Sequence, residues 1–194
     1  MRGRYKDYRY ANRGQSFEEF LRFANEQYKR EGVAVIQKIP TEFIPLRNAE
    51  GRVCNVKVKG KSSVDFIGRL GNTPIAIEAK ETRSDTIRFD EVQDHQAEFL
   101  DVFTAGGAAP GYIVVSFNLD HFYLVPWPFW KAARDAWKDA QWRCKKKAEA
   151  ITVEHNGQTW TTPGKASVRR SELHPEWEIK TGGRMGLDYL GVYK

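Results

Sequence analysis

Ser63-Val-Asp-Phe-Ile-Gly-Arg-Leu-Gly-Asn-Thr-Pro-Ile-Ala-Ile-Glu-Ala-Lys80 is the stretch whose reading decides the fold. Ser63 to Gly68 reads as a β-strand, Arg69 to Pro74 supplies Gly, Asn and Pro turn chemistry, and Ile75 to Lys80 reads as a second strand, so the two form a hairpin. Side chains alternate along a strand, which puts Glu78 and Lys80 on one face while Ala79 points away. Ile75 and Ile77 fall on the face opposite Glu78 and predict a half-buried strand. The hairpin brings Asp65 near Glu78. Two carboxylates about 4 Å apart repel by roughly 4 kcal/mol at an effective dielectric near 20, a cost that a divalent cation cancels. Hard oxygen ligands of this kind suit Mg2+ or Mn2+. The Asp, Glu-x-Lys pattern therefore has two readings. In one it is the ligand set of a metal-dependent nuclease, with Lys80 holding the attacking water or the scissile phosphate. In the other it is a surface hairpin whose Glu78 and Lys80 form an exposed ion pair worth under about 1 kcal/mol.

The flanking segments supply an ordered frame. Phe89 to Thr104 reads as one helix ended by Gly106-Gly107, with Val92, Phe99 and Phe103 on its inward stripe. Gln96 falls on that stripe, and a buried amide must find partners. It either satisfies backbone groups in the core or reaches the metal site. Ser16-Phe-Glu-Glu19 is a capping-box signature opening a helix to about Arg30, whose inner face is Phe17, Phe20, Leu21, Ala24 and Tyr28. Glu19 has a capping job; Glu18 has none, which leaves it either a third site carboxylate or a solvated first-turn acid.

Val33 to Ile36 reads as a short strand, as do Gly111 to Phe117 and Phe122 to Val125, the last two joined by a turn at Asn118 to His121. Pro126-Trp-Pro-Phe-Trp130 starts a further helix. The expected architecture is α/β, a central mixed sheet flanked by helices, in a single domain over residues 1–194. Between residues 40 and 62, Val53, Val56 and Val58 interleave with Arg52, Lys57, Lys59 and Lys61, and we read this as a protruding basic hairpin or stalk. Residues 139–194 form a basic, tryptophan-rich extension expected to pack on the core, with a hairpin at Asn156-Gly157. Trp142, Trp160 and Trp177 either cover the core or stack on unpaired bases.

At 194 residues and 22.3 kDa the chain is long enough for a real core, and its 13% aromatic content argues against disorder. No apolar run approaches a membrane span and no signal peptide is read at the start, so the expectation is a soluble, cytoplasmic protein. Cys54 and Cys144 are too few for a disulfide framework or a zinc site. No role is assigned to His95, His121, His155 or His174. The net charge of +6 is uneven. Residues 1–16, 39–62 and 131–194 carry about +4, +3 and +5, whereas residues 63–130 carry about −6. An acidic centre flanked by basic segments suits a metal-using enzyme on a polyanion. Arg2, Arg4, Lys6, Arg9 and Arg13 make residues 1–13 a basic arm of the kind that orders on a phosphate backbone. Arg13, Arg52, Lys57, Lys59 and Lys61 are the candidate DNA contacts.

Several further stretches fall in a specific order: Asn12-Arg-Gly-Gln-Ser-Phe-Glu18, Ala34-Val-Ile-Gln-Lys-Ile-Pro-Thr41, Val64-Asp-Phe-Ile-Gly68, Ile77-Glu-Ala-Lys-Glu-Thr82, Asp94-His-Gln96, Gly164-Lys-Ala-Ser167 and Leu187-Asp-Tyr-Leu190. In that order the chain resembles the RecU family of Holliday junction resolvases, bacterial or phage, within the wider PD-(D/E)XK nuclease group. The resemblance implies a restriction-endonuclease-like core, a homodimer, a divalent metal (Mg2+ or Mn2+), and paired symmetric nicks in four-way DNA. It also implies active-site roles for Glu18, Asp65, Glu78, Lys80 and Gln96, with Asp65, Glu78 and the Ala79 carbonyl on the metal, and possible recombination-protein partners. The segment from Phe43 to Lys61 shows little match to the family's stalk, and the arm before Asn12 is short. Two rival functions share parts of this reading: a restriction or repair endonuclease cutting linear duplex, and a non-catalytic junction-binding or recombinase-modulating protein that would need none of these acids.

Overall fold

The hairpin forms as β4 (Phe66–Leu70) and β5 (Thr73–Thr82), antiparallel, with Phe66 opposite Ile77 and Leu70 opposite Thr73. In the computed structural model, which describes residues 17–40, 43–58, 63–182 and 186–192, the turn is narrower than the sequence suggested. Only Gly71 and Asn72 lie between the strands, and Gly71 takes a φ of +56°, which glycine adopts without penalty. Pro74 is tolerated inside β5 because it pairs one step beyond the Leu70–Thr73 closing pair. Its missing N–H would have pointed away from β4.

On one side β1 (Ala34–Lys38) pairs antiparallel with β4, and on the other β7 (Gly111–Phe117) runs parallel to β5. With β8 (His121–Pro126) antiparallel to β7, the order is β1-β4-β5-β7-β8, a mixed five-stranded sheet. Helix α1 (Phe17–Arg30) lays Phe17, Leu21, Ala24 and Tyr28 against Ile75, Ile77 and Phe66 on one face. Helices α2 (Asp94–Thr104) and α3 (Trp127–Trp142) cover the other, where Ala97, Leu100, Trp127 and Trp130 meet Ala76, Ile113 and Val115. The centre of β5 is thus buried on both faces, not half-buried as alternation alone suggested. Both Ile77 and Glu78 are sealed from solvent.

The single helix expected over Phe89–Thr104 is broken. Phe89–Glu91 makes one 3-10 turn, Val92 and Gln93 are extended, and α2 begins at Asp94. The physical reason lies in α3: Trp130 Nε1 donates to the Phe89 carbonyl at 3.0 Å and Arg134 Nε to the Val92 carbonyl at 2.8 Å. Carbonyls taken by side chains are not available to a continuous helix.

The basic segment forms its own antiparallel pair, β2 (Phe43–Arg47) and β3 (Val53–Val58), outside the central sheet. Every side chain from Pro45 to Asn55, and that of Lys57, is exposed. Arg13, Lys59, Lys61, the Ser16 cap and the basic arm lie outside the described residues. In the C-terminal extension β9 (Thr152–His155) and β10 (Gln158–Thr161) turn at Asn156-Gly157, both with positive φ. β11 (Ser167–Arg169) pairs with β6 (Thr86–Arg88). Trp160 and Trp177 join the core, whereas Trp142 stays exposed. The tail holds α1, since Tyr28 Oη donates to Asp188 at 2.7 Å. Cys54 and Cys144 are free and exposed. No helix among the described residues is long and apolar enough to cross a membrane.

Gly68 carries the tightest constraint in the sheet. A Cβ there would sit 2.0 Å from the Val35 carbonyl oxygen and 2.6 Å from the Ile36 Cα, both backbone atoms that cannot swing aside. Gly68→Ala is therefore expected to force β1 off β4 and cost roughly 3 kcal/mol or more, the upper end for overpacking. Urea unfolding checks it; a loss below about 1 kcal/mol would contradict this packing.

Candidate active site

Asp65 stands one residue before β4, so continuing the Phe66–Ile77 register sets it opposite Glu78 on the same face of the sheet. Its Oδ2 accepts a hydrogen bond from the Ala79 N–H at 2.9 Å, which ties the carboxylate to β5. Glu78 is 1% exposed. Its Oε1 accepts from Lys80 Nζ at 2.6 Å and from Gln96 Nε2 at 2.5 Å, while Oε2 is buried without a hydrogen-bond partner. Lys80, 17% exposed, reaches Gln96 Oε1 at 3.2 Å as well. That same oxygen accepts the Gln93 N–H at 3.0 Å, closing a capping box at the start of α2. Of the two uses weighed for Gln96, the structure shows the one on backbone, the cap of α2, and the capped side chain is held against Glu78 and Lys80.

Burial comes first among the causes that push the Glu78 carboxyl up to about 7, followed by the charge of Asp65; Lys80 pulls the other way. Asp65 is also raised, by burial and by Glu18, against the Ala79 N–H, Lys80 and Lys38. Two neighbouring carboxylates held above their ordinary range, with one oxygen left unmet, form a site short of positive charge. A buried acceptor without a partner costs about 1–3 kcal/mol, and more when charged. The donor set is oxygen only and fits a hard divalent cation. Among the described residues no three His, Cys, Asp or Glu side chains converge, and Mg2+ needs no such cage because it keeps waters and takes ligands from phosphate.

Glu18 reaches the edge of this site from the first turn of α1 and pairs with Lys38. Lys38 was missed by the sequence reading, which ended β1 at Ile36. The strand runs two residues further, setting Lys38 opposite Phe66 and beside Asp65. Glu81 was missed too: its Oε2 accepts the Phe17 N–H at 3.4 Å, so the end of β5 holds the start of the helix bearing Glu18. A longer strand reading of Gln37-Lys38 would have found the first; nothing local signals the second. Lys57 lies on the exposed β2–β3 pair and Arg52 in the turn that joins its strands, apart from these residues in the sheet order.

A profile of the family described as "Recombination protein U", RecU, matches residues 12–169. The chain belongs to the RecU family. Curated RecU relatives named Holliday junction resolvase include one from Streptococcus gordonii, 29% identical over 128 residues, and one from Bacillus mycoides, 33% identical over 129 residues. Each of these alignments covers 62% of this chain and 63% of the relative. A third, from Staphylococcus saprophyticus, is 26% identical over 157 residues, covering 76% of this chain and 73% of its own. The chain thus spans a little under two thirds of the length of the first two. Among solved structures, Hjc, a Holliday junction resolvase from Archaeoglobus fulgidus, aligns with a TM-score of 0.37 at 15% identity, over 57% of this chain and 76% of that one, a likeness too loose to carry weight. All the site residues described above fall inside the RecU match.

Proposed function

We propose that this RecU-family chain is a metal-dependent endonuclease that resolves four-way DNA junctions as a homodimer, in the cytoplasm of a bacterial or phage-infected cell and alongside recombination proteins. The observation that carries the chemistry is the buried Glu78 carboxylate, raised, with one unmet oxygen, between Asp65 and Lys80. The choice of junction DNA as substrate is supported by the relatives' names.

Asp65, Glu78 and the Ala79 carbonyl would hold Mg2+ or Mn2+, with Glu18 reaching it through water. When bound, such an ion neutralises charge at the phosphate and eases deprotonation of water. Lys80 aims the attacking water, whose oxygen forms a bond to phosphorus in line with the departing 3′ oxygen. The products are a 5′-phosphate and a 3′-hydroxyl. Gln96 acts through others: with its oxygen given to Lys80 and the Gln93 N–H, and its amide to Glu78, it fixes where both side chains point. A two-fold dimer presents two such sites to two equivalent phosphates of an open junction. The Arg52 and Lys57 hairpin, with Arg13, Lys59 and Lys61, would contact backbone rather than base edges.

A cleavage assay on a synthetic mobile junction, with metal titrated and both nicks mapped, tests the proposal. Paired nicks at symmetric positions in strands of like polarity are expected, and the isolated linear arms should stay uncut. Equal cutting of the arms would assign the chain to duplex endonucleases instead. Binding should weaken by about 0.9 log unit per log salt for each phosphate neutralised. Arg52→Ala with Lys57→Ala is expected to lower that slope by about 2, read by anisotropy in EDTA; an unchanged slope would remove both residues from the interface.

A further inference from the structure

Beyond the nuclease site, the end of α3 presents a combination that folding does not explain. Trp142 is 87% exposed, the most exposed large apolar side chain among the described residues. It is followed by Arg143, Lys145, Lys146 and Lys147, with no acid between residues 142 and 148. The helix buries Trp127, Trp130, Ala133 and Ala140, so Trp142 stands off the packed face. Helix-dipole compensation accounts for Arg143, which also pairs with Asp139 at 2.8 Å. It does not account for three further lysines beyond the last turn, or for an indole left in water.

The helix end is shaped rather than frayed. Cys144 takes a φ of +52°, and the Lys145 N–H returns to the Ala140 carbonyl at 2.8 Å, the closing bond of a Schellman turn. This turn carries the lysines round the helix end beside the indole. Lys145 comes within 3.9 Å of Glu149, while Lys146 and Lys147 make no ion pair among the described residues. Trp142 also lies one turn, about 6 Å, beyond Lys138 on the same side of α3. Lys138 pairs with Asp94 at the start of α2, the helix that delivers Gln96 to Glu78.

We infer that Trp142 and Lys145 to Lys147 form a binding surface for single-stranded DNA, the indole stacking on an unpaired base and the lysines following its phosphates. An exposed ring beside free cations is the pairing that unstacked bases recognise, whereas the bases of a duplex are stacked on each other and offer only the backbone. A lipid surface fits less well, because a single apolar side chain gives no amphipathic face. The surface stands independently of the nuclease reading, since binding can be measured whether or not the chain cuts.

The test uses the full chain in EDTA, with anisotropy of labelled 20-nucleotide oligothymidylate, an abasic strand of the same length, and a duplex. Trp142→Ala is expected to weaken oligothymidylate binding about tenfold and abasic or duplex binding less than twofold, with Trp142→Phe restoring most of the loss. Replacing Lys145, Lys146 and Lys147 by Ala should weaken binding to both single strands and lower the salt slope by about 2, at roughly 0.7 per phosphate. Because all four side chains are exposed, the variants should fold as the parent does. An unchanged oligothymidylate affinity overturns the inference, as does an equal loss on the abasic strand. Loss of binding to anionic phospholipid vesicles, with none on oligothymidylate, would assign the surface to membranes and overturn it too.

Discussion

Glu78→Gln is expected to reduce cleavage of a four-way junction by roughly a thousand-fold or more while leaving junction binding in EDTA within about twofold. The substitution keeps the shape of the side chain and its place under α2, so an oxygen still faces Lys80 and the fold has no cavity to fill. What it removes is the anion. The unmet Oε2 becomes part of a neutral amide, and the oxygen cluster loses one of its two buried charges. A thousand-fold loss corresponds to about 4 kcal/mol of transition-state stabilisation at 1.36 kcal/mol per decade. Asp65→Asn makes the matching test from the other strand, because Asn can still accept the Ala79 N–H that holds Asp65 in place. Both variants should bind and neither should cut. Cutting within about tenfold of the parent by either one would move the chemistry away from this pair of acids. Gln96→Ala separates the positioning role: Glu78 and Lys80 each lose a partner without losing charge, so a loss smaller than that of Glu78→Gln is expected in the same assay.

How much of this site is legible in the sequence is a question of range. The Asp65–Glu78 pairing was legible because hairpin register is fixed over a few residues, by Gly71-Asn72 and by the alternation of Ile75 and Ile77. Lys80 followed from strand parity alone. The break before α2 was not legible, because its cause is the hold of Trp130 and Arg134 on carbonyls some forty residues earlier. Lys38 was hidden for a similar reason: β1 runs on because β4 pairs with it, and no local preference of Gln37-Lys38 says so. The three tryptophans show the same limit. Trp160 and Trp177 meet edge to face with centroids 5.0 Å apart inside the core, while Trp142 meets solvent. Composition treats them alike, and only the neighbours that tertiary packing brings distinguish them.

The buried carboxylate to which the proposed chemistry is assigned should weigh against stability, and the sign of that effect follows from its raised pKa. In the folded chain Glu78 holds its proton up to about pH 7, whereas in the unfolded chain it ionises near 4.5. Between those two values the folded state binds a proton that the unfolded state has released, so metal-free stability falls as pH rises from about 4.5 to 7 and this contribution is level above. The size is about 3 kcal/mol, from the separation of the two values at 1.36 kcal/mol per unit. Asp65, raised as well, acts in the same direction. Asp90, Asp94 and Glu172, held below their ordinary range by Arg88, Lys138 and Lys165 respectively, act oppositely but at lower pH. Subtracting the Glu78→Gln curve from the parent's removes them. Urea unfolding in EDTA from pH 5 to 8.5 should therefore show the parent losing stability relative to Glu78→Gln, so that the variant is more stable by up to about 3 kcal/mol at pH 8. Adding Mg2+ at pH 8 should stabilise the parent and leave the variant nearly unmoved, since a cation gains from the ionised carboxylate that solvent-free burial penalises. Parallel curves for the two proteins would mean that Glu78 ionises as easily inside the fold as outside it, and the strained acid on which the proposed chemistry rests would not exist.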